Sequence, residues 1–207
     1  MVKLSVPKIL LGLGLLVVLG YIASDLLISD DQYAYKLRQE RKQKNEQFRS
    51  HRDSPLPEEL HEKFDSLHYY PIDRAWRLTA RLERLPAGDT LSLALTDGGA
   101  DKYTRFARAT FEWQGQPQTL TLLRRVSKTD STLFVPFTDK TNGRGSYGGG
   151  RYLDVETPAR RDREVVLDFN RTYNPYCAYG GNFACPMPPK ENWLTVEVPV
   201  GEKSYKE

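Results

Sequence analysis

From Ala75 onward the chain alternates apolar and polar residues with a period of two. Trp76, Leu78, Ala80 and Leu82 interleave with Arg77, Thr79, Arg81 and Glu83, the pattern of a strand with one face in a core. Leu91, Leu93 and Leu95 repeat it after a turn at Gly88-Asp89, and Asp97-Gly98-Gly99 marks the next turn. Tyr103–Trp113 and Gln118–Val126 are joined at Gln114-Gly115-Gln116, a hairpin signal. Thr132–Phe137, Glu164–Phe169 and Trp193–Val198 bring the set to about seven short strands. Ahead of them the period changes. Tyr33, Leu37, Glu40, Lys44 and Phe48 fall near helical spacing within Gln32–Arg52, with Glu40 and Lys44 as a favourable i,i+4 pair. Ser54-Pro55-Leu56-Pro57 breaks this helix, and a second is predicted over Glu58–Leu67, closed by Pro71. The pattern predicts a mostly β fold, a β-sandwich or open barrel of about seven strands with N-terminal helices, α+β in class.

The N-terminus has a different character. Lys3 and Lys8 precede an unbroken apolar run from Ile9 to Ala23, and Asp25, Asp30 and Asp31 follow. As a helix this run covers about 22 Å, between the length of a signal-peptide core and that of a short membrane anchor. Residues 1–28 are therefore expected to be a signal-anchor or signal peptide, with the chain held at the membrane and its domain on the extracytoplasmic (periplasmic) side. A cleaved leader would make it secreted. Lys36, Arg38, Arg41, Lys42 and Lys44 argue the opposite orientation, but the immediate flanks are weighted more heavily. The remaining division is a charged helical stalk over 29–53, a β-rich domain over 54–202 and a tail over 203–207.

Composition narrows the function classes. Thirty Lys and Arg against 27 Asp and Glu leave a net charge of +3, too mild to imply a nucleic-acid partner. Two Cys exclude a disulfide-dense scaffold, and three His, all in the N-terminal third, argue against an all-histidine metal cage. No metal and no cofactor is expected.

The unusual stretch is Phe137–Asn192, rich in Gly, Pro, Asn, Tyr and Arg. Gly143, Gly145 and Gly148 match G-x-G-x-x-G, but a strand-like Tyr152-Leu153-Asp154-Val155 follows where a dinucleotide site needs a helix. What remains is a flexible loop flanked by Arg144 and Arg151, able to meet an anion, or else a wide hairpin whose arginines pair with Asp139 or Asp154. Asp168 and Asn170 alternate with Leu167, Phe169 and Arg171 at a strand end and so share a face; Asn174-Pro175 starts a turn. Cys177 and Cys185 are separated by seven residues. A disulfide is the plain reading outside the cell, a metal pair or a catalytic thiol the sharper ones.

Several segments together carry a resemblance: Val135-Pro136-Phe137, Asp139-Lys140-Thr141, Tyr147 through Leu153, Leu167 through Arg171, Tyr173-Asn174-Pro175, and Cys177 through Asn192. With Ser54-Pro55-Leu56 and Tyr70-Pro71 they resemble the bacterial and archaeal domain of unknown function 1684, over roughly Tyr33 to Glu202. The resemblance implies that the GGGRYL and LDFNR-x-YNP-x-C segments are hallmarks of that family, and it implies no activity.

The functional expectation is a domain that binds a small anionic or polar ligand. Asp139, Arg144, Tyr147, Arg151, Asp168, Asn170, Arg171, Tyr173 and Asn174 are the candidate ligand-binding residues. They are expected to converge in one polar recess, so that Arg151→Ala spares the fold and abolishes binding. An envelope carbohydrate-active hydrolase is the alternative, with Tyr147, Tyr152, Tyr173, Tyr176 and Tyr179 as stacking faces and Asp139 and Asp168 as acid and base. A non-enzymatic assembly partner is the third reading. No catalytic residue can be assigned.

Overall fold

The computed structural model describes residues 30–50, 54–126 and 131–205. The apolar leader, and with it the predicted signal or anchor, lies outside the described residues. Among those residues no helix is long and apolar enough to cross a membrane. Residues 30–49 are helical (α1). The chain divides into two compact units, Met1–Lys42 and Gln43–Glu207; the last turns of α1, with Lys44, Asn45 and Phe48, belong to the second.

That second unit is a single seven-stranded antiparallel sheet, curled into a half-barrel. The strands are β1 (Arg77–Arg84), β2 (Thr90–Ala94), β3 (Ala100–Trp113), β4 (Gln116–Arg125), β5 (Thr132–Phe137), β6 (Arg151–Glu156) and β7 (Glu164–Asp168). Their order is β6-β5-β4-β3-β1-β7, with β2 also against β3. The long β3 serves two partners on one edge. Its first half pairs β2 and its second half β1, and the register shifts between Arg105 and Ala107 where one gives way to the other, as a bulge permits. The β3–β4 hairpin turns on Gln114 (φ 51°) and Gly115 (φ 76°), both in the left-handed region that a two-residue turn of matching twist requires.

The concave face holds the main core. Ala80, Leu82, Leu120, Leu122, Val135 and Leu153 are buried there with Trp76 and Phe169. Trp193–Val198, expected as a strand, is not one. It keeps the alternation, with Leu194 and Val198 in the core and Trp193 and Glu197 outside. Its ladder is reduced to one parallel bridge, Thr138 to Trp193. Burial follows the period of two, but a strand also needs a continuous edge to bond. The segment crosses past Thr138, Gln118 and Lys140 instead, bonding each, and β6 takes its place in the count.

Asn192 shows why β4 and β5 part. Their ladder has one pair, Leu123 opposite Phe134. Two residues along, the same register would set Thr121 against Pro136, which has no N–H to donate. The buried Asn192 side chain fills that place: its Oδ1 accepts from Thr121 N (2.7 Å), and its Nδ2 donates to Thr121 O (3.0 Å) and Pro136 O (2.8 Å).

The predicted helix over Glu58–Leu67 is one turn, α2 (Glu58–His61). Phe64 and Leu67 are nevertheless buried, in a second cluster with Phe48, Leu56 and Tyr179. Tyr205 packs on it, and Lys203 N donates to His68 O (2.8 Å), so the chain's end folds back onto this cluster.

Candidate functional site

The glycine-rich segment is built around Arg151, the first residue of β6. Gly150 precedes it at φ 92°, where a Cβ would stand 2.7 Å from Phe137 O and 2.7 Å from the Pro188 ring; glycine alone fits there. The Arg151 side chain is 0% exposed and pairs with Asp139, also 0% exposed, at 2.9 Å. It also donates to the carbonyls of Val198 (2.8 Å), Val200 (2.6 Å) and Glu202 (3.2 Å). Asp139 Oδ1 accepts from Thr141 N, Thr141 Oγ1 and Val198 N. This pair clamps the C-terminal crossing segment to the sheet. The expected recess around Arg151 does not form, because no solvent reaches the guanidinium.

The other candidates divide. Arg144 is exposed; it donates to Lys140 O (2.7 Å) and stands 3.9 Å from Glu197. The alternation assumed for Asp168 and Asn170 ends at Asp168, where β7 gives way to a 3₁₀ turn, Phe169–Arg171. Asp168 accepts from Asn170 N (3.3 Å) at that turn and holds Arg171 Nε at 3.1 Å. The buried Asn170 bonds the backbone of Asp73 on both sides, through Oδ1 to its N–H and Nδ2 to its carbonyl. Asn174 is buried and donates from its N–H to Glu202 Oε2 (2.9 Å). Glu202, itself buried, also accepts from Lys44 Nζ (3.0 Å) and Tyr179 O–H (2.6 Å). Asn170 and the Asn174 N–H thus tie backbone in place, while Asp168 and Glu202 also bond side chains.

A concavity lies elsewhere among the described residues, an open cleft of about 500 Å³ on the outer face of β3–β6. Its floor comes from residues that the strands turn away from the core. Leu133 and Val135 point inward, so Phe134 points out; Leu153 points inward, so Tyr152 and Asp154 point out. Tyr103 and Arg125 stand opposite each other on β3 and β4. The rings meet in sequence: Tyr103 stacks on Phe134 (5.6 Å), Phe134 meets Tyr152 edge-on (4.7 Å), and Tyr152 meets Tyr173 edge-on (5.7 Å). Tyr176 and Phe183 form the rim, edge to face at 5.3 Å and exposed. Of the candidates read from sequence, Tyr173, Asn174 and Cys185 line this cleft. Tyr152 and Tyr176, foreseen as stacking faces, line it too.

Two charges stand among the rings. Arg125 bonds Asp101 (2.8 Å) and the Tyr103 hydroxyl (2.9 Å). Asp154 accepts from Tyr173 O–H (2.8 Å). Burial first, and then the Asp154 charge, push the Tyr173 phenol well above its ordinary range, so it stays a donor. Tyr152 is raised by burial as well, and its O–H donates to Pro186 O (2.6 Å). That bond ties the rim segment to the sheet.

Cys177 and Cys185 are free thiols side by side. Cys177 N–H donates to Cys185 Sγ (3.2 Å), and the Tyr147 hydroxyl lies 3.8 Å from Cys177 Sγ. Burial raises the Cys185 thiol to about 12, with the hydrogen bond to Cys177 adding to it. Tyr147 is also raised to about 12, by burial and then by Cys177.

The residues that sequence reasoning missed are Tyr103, Arg125, Phe134, Asp154 and Phe183. One signal was available: Phe134 and Tyr152 are aromatics at the polar phase of their strands, where a solvent-facing residue is expected.

The fold and this concavity define a half-barrel domain with an aromatic cleft on its outer face. The family described as protein of unknown function (DUF1684) matches residues 62–203, and the chain belongs to it. A solution NMR structure of an uncharacterised protein of Haloarcula marismortui is similar, at 35% identity and a TM-score of 0.68. The match covers 86% of this chain and 98% of that one. A search of the curated proteins found no match.

Proposed function

We propose that the chain is a binding domain for a small polar ligand, with the aromatic cleft as its site, held outside the cytoplasmic membrane by the apolar leader. The observation that carries this is the convergence of Tyr103, Phe134, Tyr152 and Tyr173 with Arg125 and Asp154 around one cleft of about 500 Å³. Ligand pockets combine apolar walls with a few placed polar groups in this way. A saccharide fits the chemistry: ring C–H faces lie on Tyr176 and Phe183, and hydroxyls bond the Asp154 carboxylate and the Arg125 guanidinium. Among the described residues Asp154 is the one carboxylate lining the cleft. Glycoside hydrolysis of the usual kind uses two, so binding is favoured over catalysis. The leader residues support the address, and residues 1–28 lie outside the described part.

The test is calorimetric titration of the full chain with glucose, N-acetylglucosamine and glucuronate. Binding by one of them should weaken at least tenfold in Tyr176→Ala/Phe183→Ala, at about 1 kcal/mol or more for each anchoring ring, with thermal stability unchanged. Absence of binding by all three at millimolar concentration overturns the saccharide reading.

A further inference from the structure

We infer that Cys177 and Cys185 form a reversible redox latch that fixes the rim of the cleft. The inference rests on the reading of the cleft as a site only for its consequence; the chemistry stands on the sulfurs. The two cysteines stem one loop. Cys177 lies in the 3₁₀ turn Tyr176–Tyr179, directly after the rim residue Tyr176. Cys185 lies in the segment fastened to the end of β2, where its carbonyl accepts from Thr96 N (3.0 Å) and its N–H donates to Thr96 Oγ1 (3.0 Å). The loop tip between them, Asn182–Ala184, is exposed and carries Phe183. The Cys177 N–H on Cys185 Sγ at 3.2 Å shows that the stems already approach each other without a covalent bond.

Cys177 is half-buried and Cys185 buried, which sets the order of steps. The oxidant is a small disulfide such as oxidised glutathione. The Cys177 thiolate attacks one of its sulfurs, forming a mixed disulfide and expelling one glutathione thiolate. Cys185 then attacks the Cys177 sulfur, forming the internal disulfide and expelling the second. The protons of both cysteines leave on the two glutathione thiols, so two thiols are oxidised and one disulfide is reduced. The product joins Tyr176 and Phe183 through a closed loop, and the rim loses the freedom to open.

The experiment uses the full chain, equilibrated with excess oxidised or excess reduced glutathione. Mass spectrometry reads the sulfurs and chymotrypsin probes Phe183. Oxidation should remove about 2 Da, two hydrogens, and join the Cys177 and Cys185 peptides, while Cys177→Ser and Cys185→Ser each prevent it. Cleavage after Phe183 should be at least tenfold slower in the oxidised chain, and dithiothreitol should restore it. Persistent thiols, or a stable glutathione adduct in the unsubstituted chain, overturn the disulfide step. A disulfide that leaves cleavage at Phe183 unchanged overturns the latch. Saccharide affinity, read separately, decides the role of the cleft and not the chemistry of the pair.

Discussion

Replacing Arg151 by methionine separates scaffold from site. Methionine fills much of the same volume, so the change is mainly one of charge and hydrogen bonding. It removes the ion pair with Asp139 at 2.9 Å and the donors to the Val198, Val200 and Glu202 carbonyls. Asp139, 0% exposed, keeps its bonds from Thr141 and Val198 but loses its counter-charge. Breaking a buried pair from one side costs about 3–5 kcal/mol, and the orphaned carbonyls are included in that figure. For a domain stable by about 5–15 kcal/mol this is a large share. Urea unfolding followed by tryptophan fluorescence reads it: with a slope near 2 kcal/mol/M the midpoint should fall by about 2 M. A midpoint shift below about 0.5 M, together with lost ligand binding, would refute the structural role and return Arg151 to the ligand site.

Four further outcomes follow from the same structure. Gly150→Ala forces a side chain into the left-handed region against Phe137 O and should cost about 2–3 kcal/mol in urea unfolding. Asn192→Ala leaves Thr121 and Pro136 backbone groups unpaired in a buried place; about 3 kcal/mol should be lost by the same assay. Stability should fall with alkaline pH. Cys185 and Tyr147 have folded values raised from 9.0 and 10.0 to about 12, so the unfolded chain releases protons that the folded chain retains. Their contribution is complete below about pH 9 and is lost as pH rises from about 9 to 12; unfolding midpoints measured across that range should decline. Iodoacetamide at pH 8 should alkylate the half-buried Cys177 well before the buried Cys185 while the chain is folded, and both at similar rates once urea unfolds it, because exposure and thiolate content set the rate.

The sheet was legible because one of its faces is buried. Ala80, Leu82, Leu120 and Leu122 are inside for the reason that their period of two puts them there. The same rule misplaced Trp193–Val198, whose burial alternates although its backbone bonds to Thr138, Gln118 and Lys140 in place of a full ladder. Hydrogen-bond partners distant in sequence leave no local trace, and neither does a proline on another strand that makes room for Asn192. Chemistry was legible in kind and misassigned in place. Glycine and arginine together suggested either a loop cradling an anion or a hairpin whose arginines pair with Asp139 or Asp154; in the fold Gly150 permits close packing and Arg151 does pair with Asp139. A buried guanidinium and a ligand-facing one look identical in sequence, since what distinguishes them is whether the crossing segment Val198–Glu202 covers them. The cleft was partly visible, through Tyr152, Tyr173 and Tyr176, but its floor draws Tyr103, Phe134 and Tyr152 from three different strands.

The central claim is that ligand meets the aromatic face of β3–β6 and not the glycine-rich loop. Chemical-shift mapping of the isotope-labelled full chain, titrated with whichever saccharide of the three binds, tests it most directly. The account predicts shifted signals at Tyr103, Phe134, Asp154, Tyr173 and Phe183, with Gly143–Gly149 and Arg144 unmoved. Shifts confined to Arg144 and its glycines, with the aromatic face silent, would contradict it.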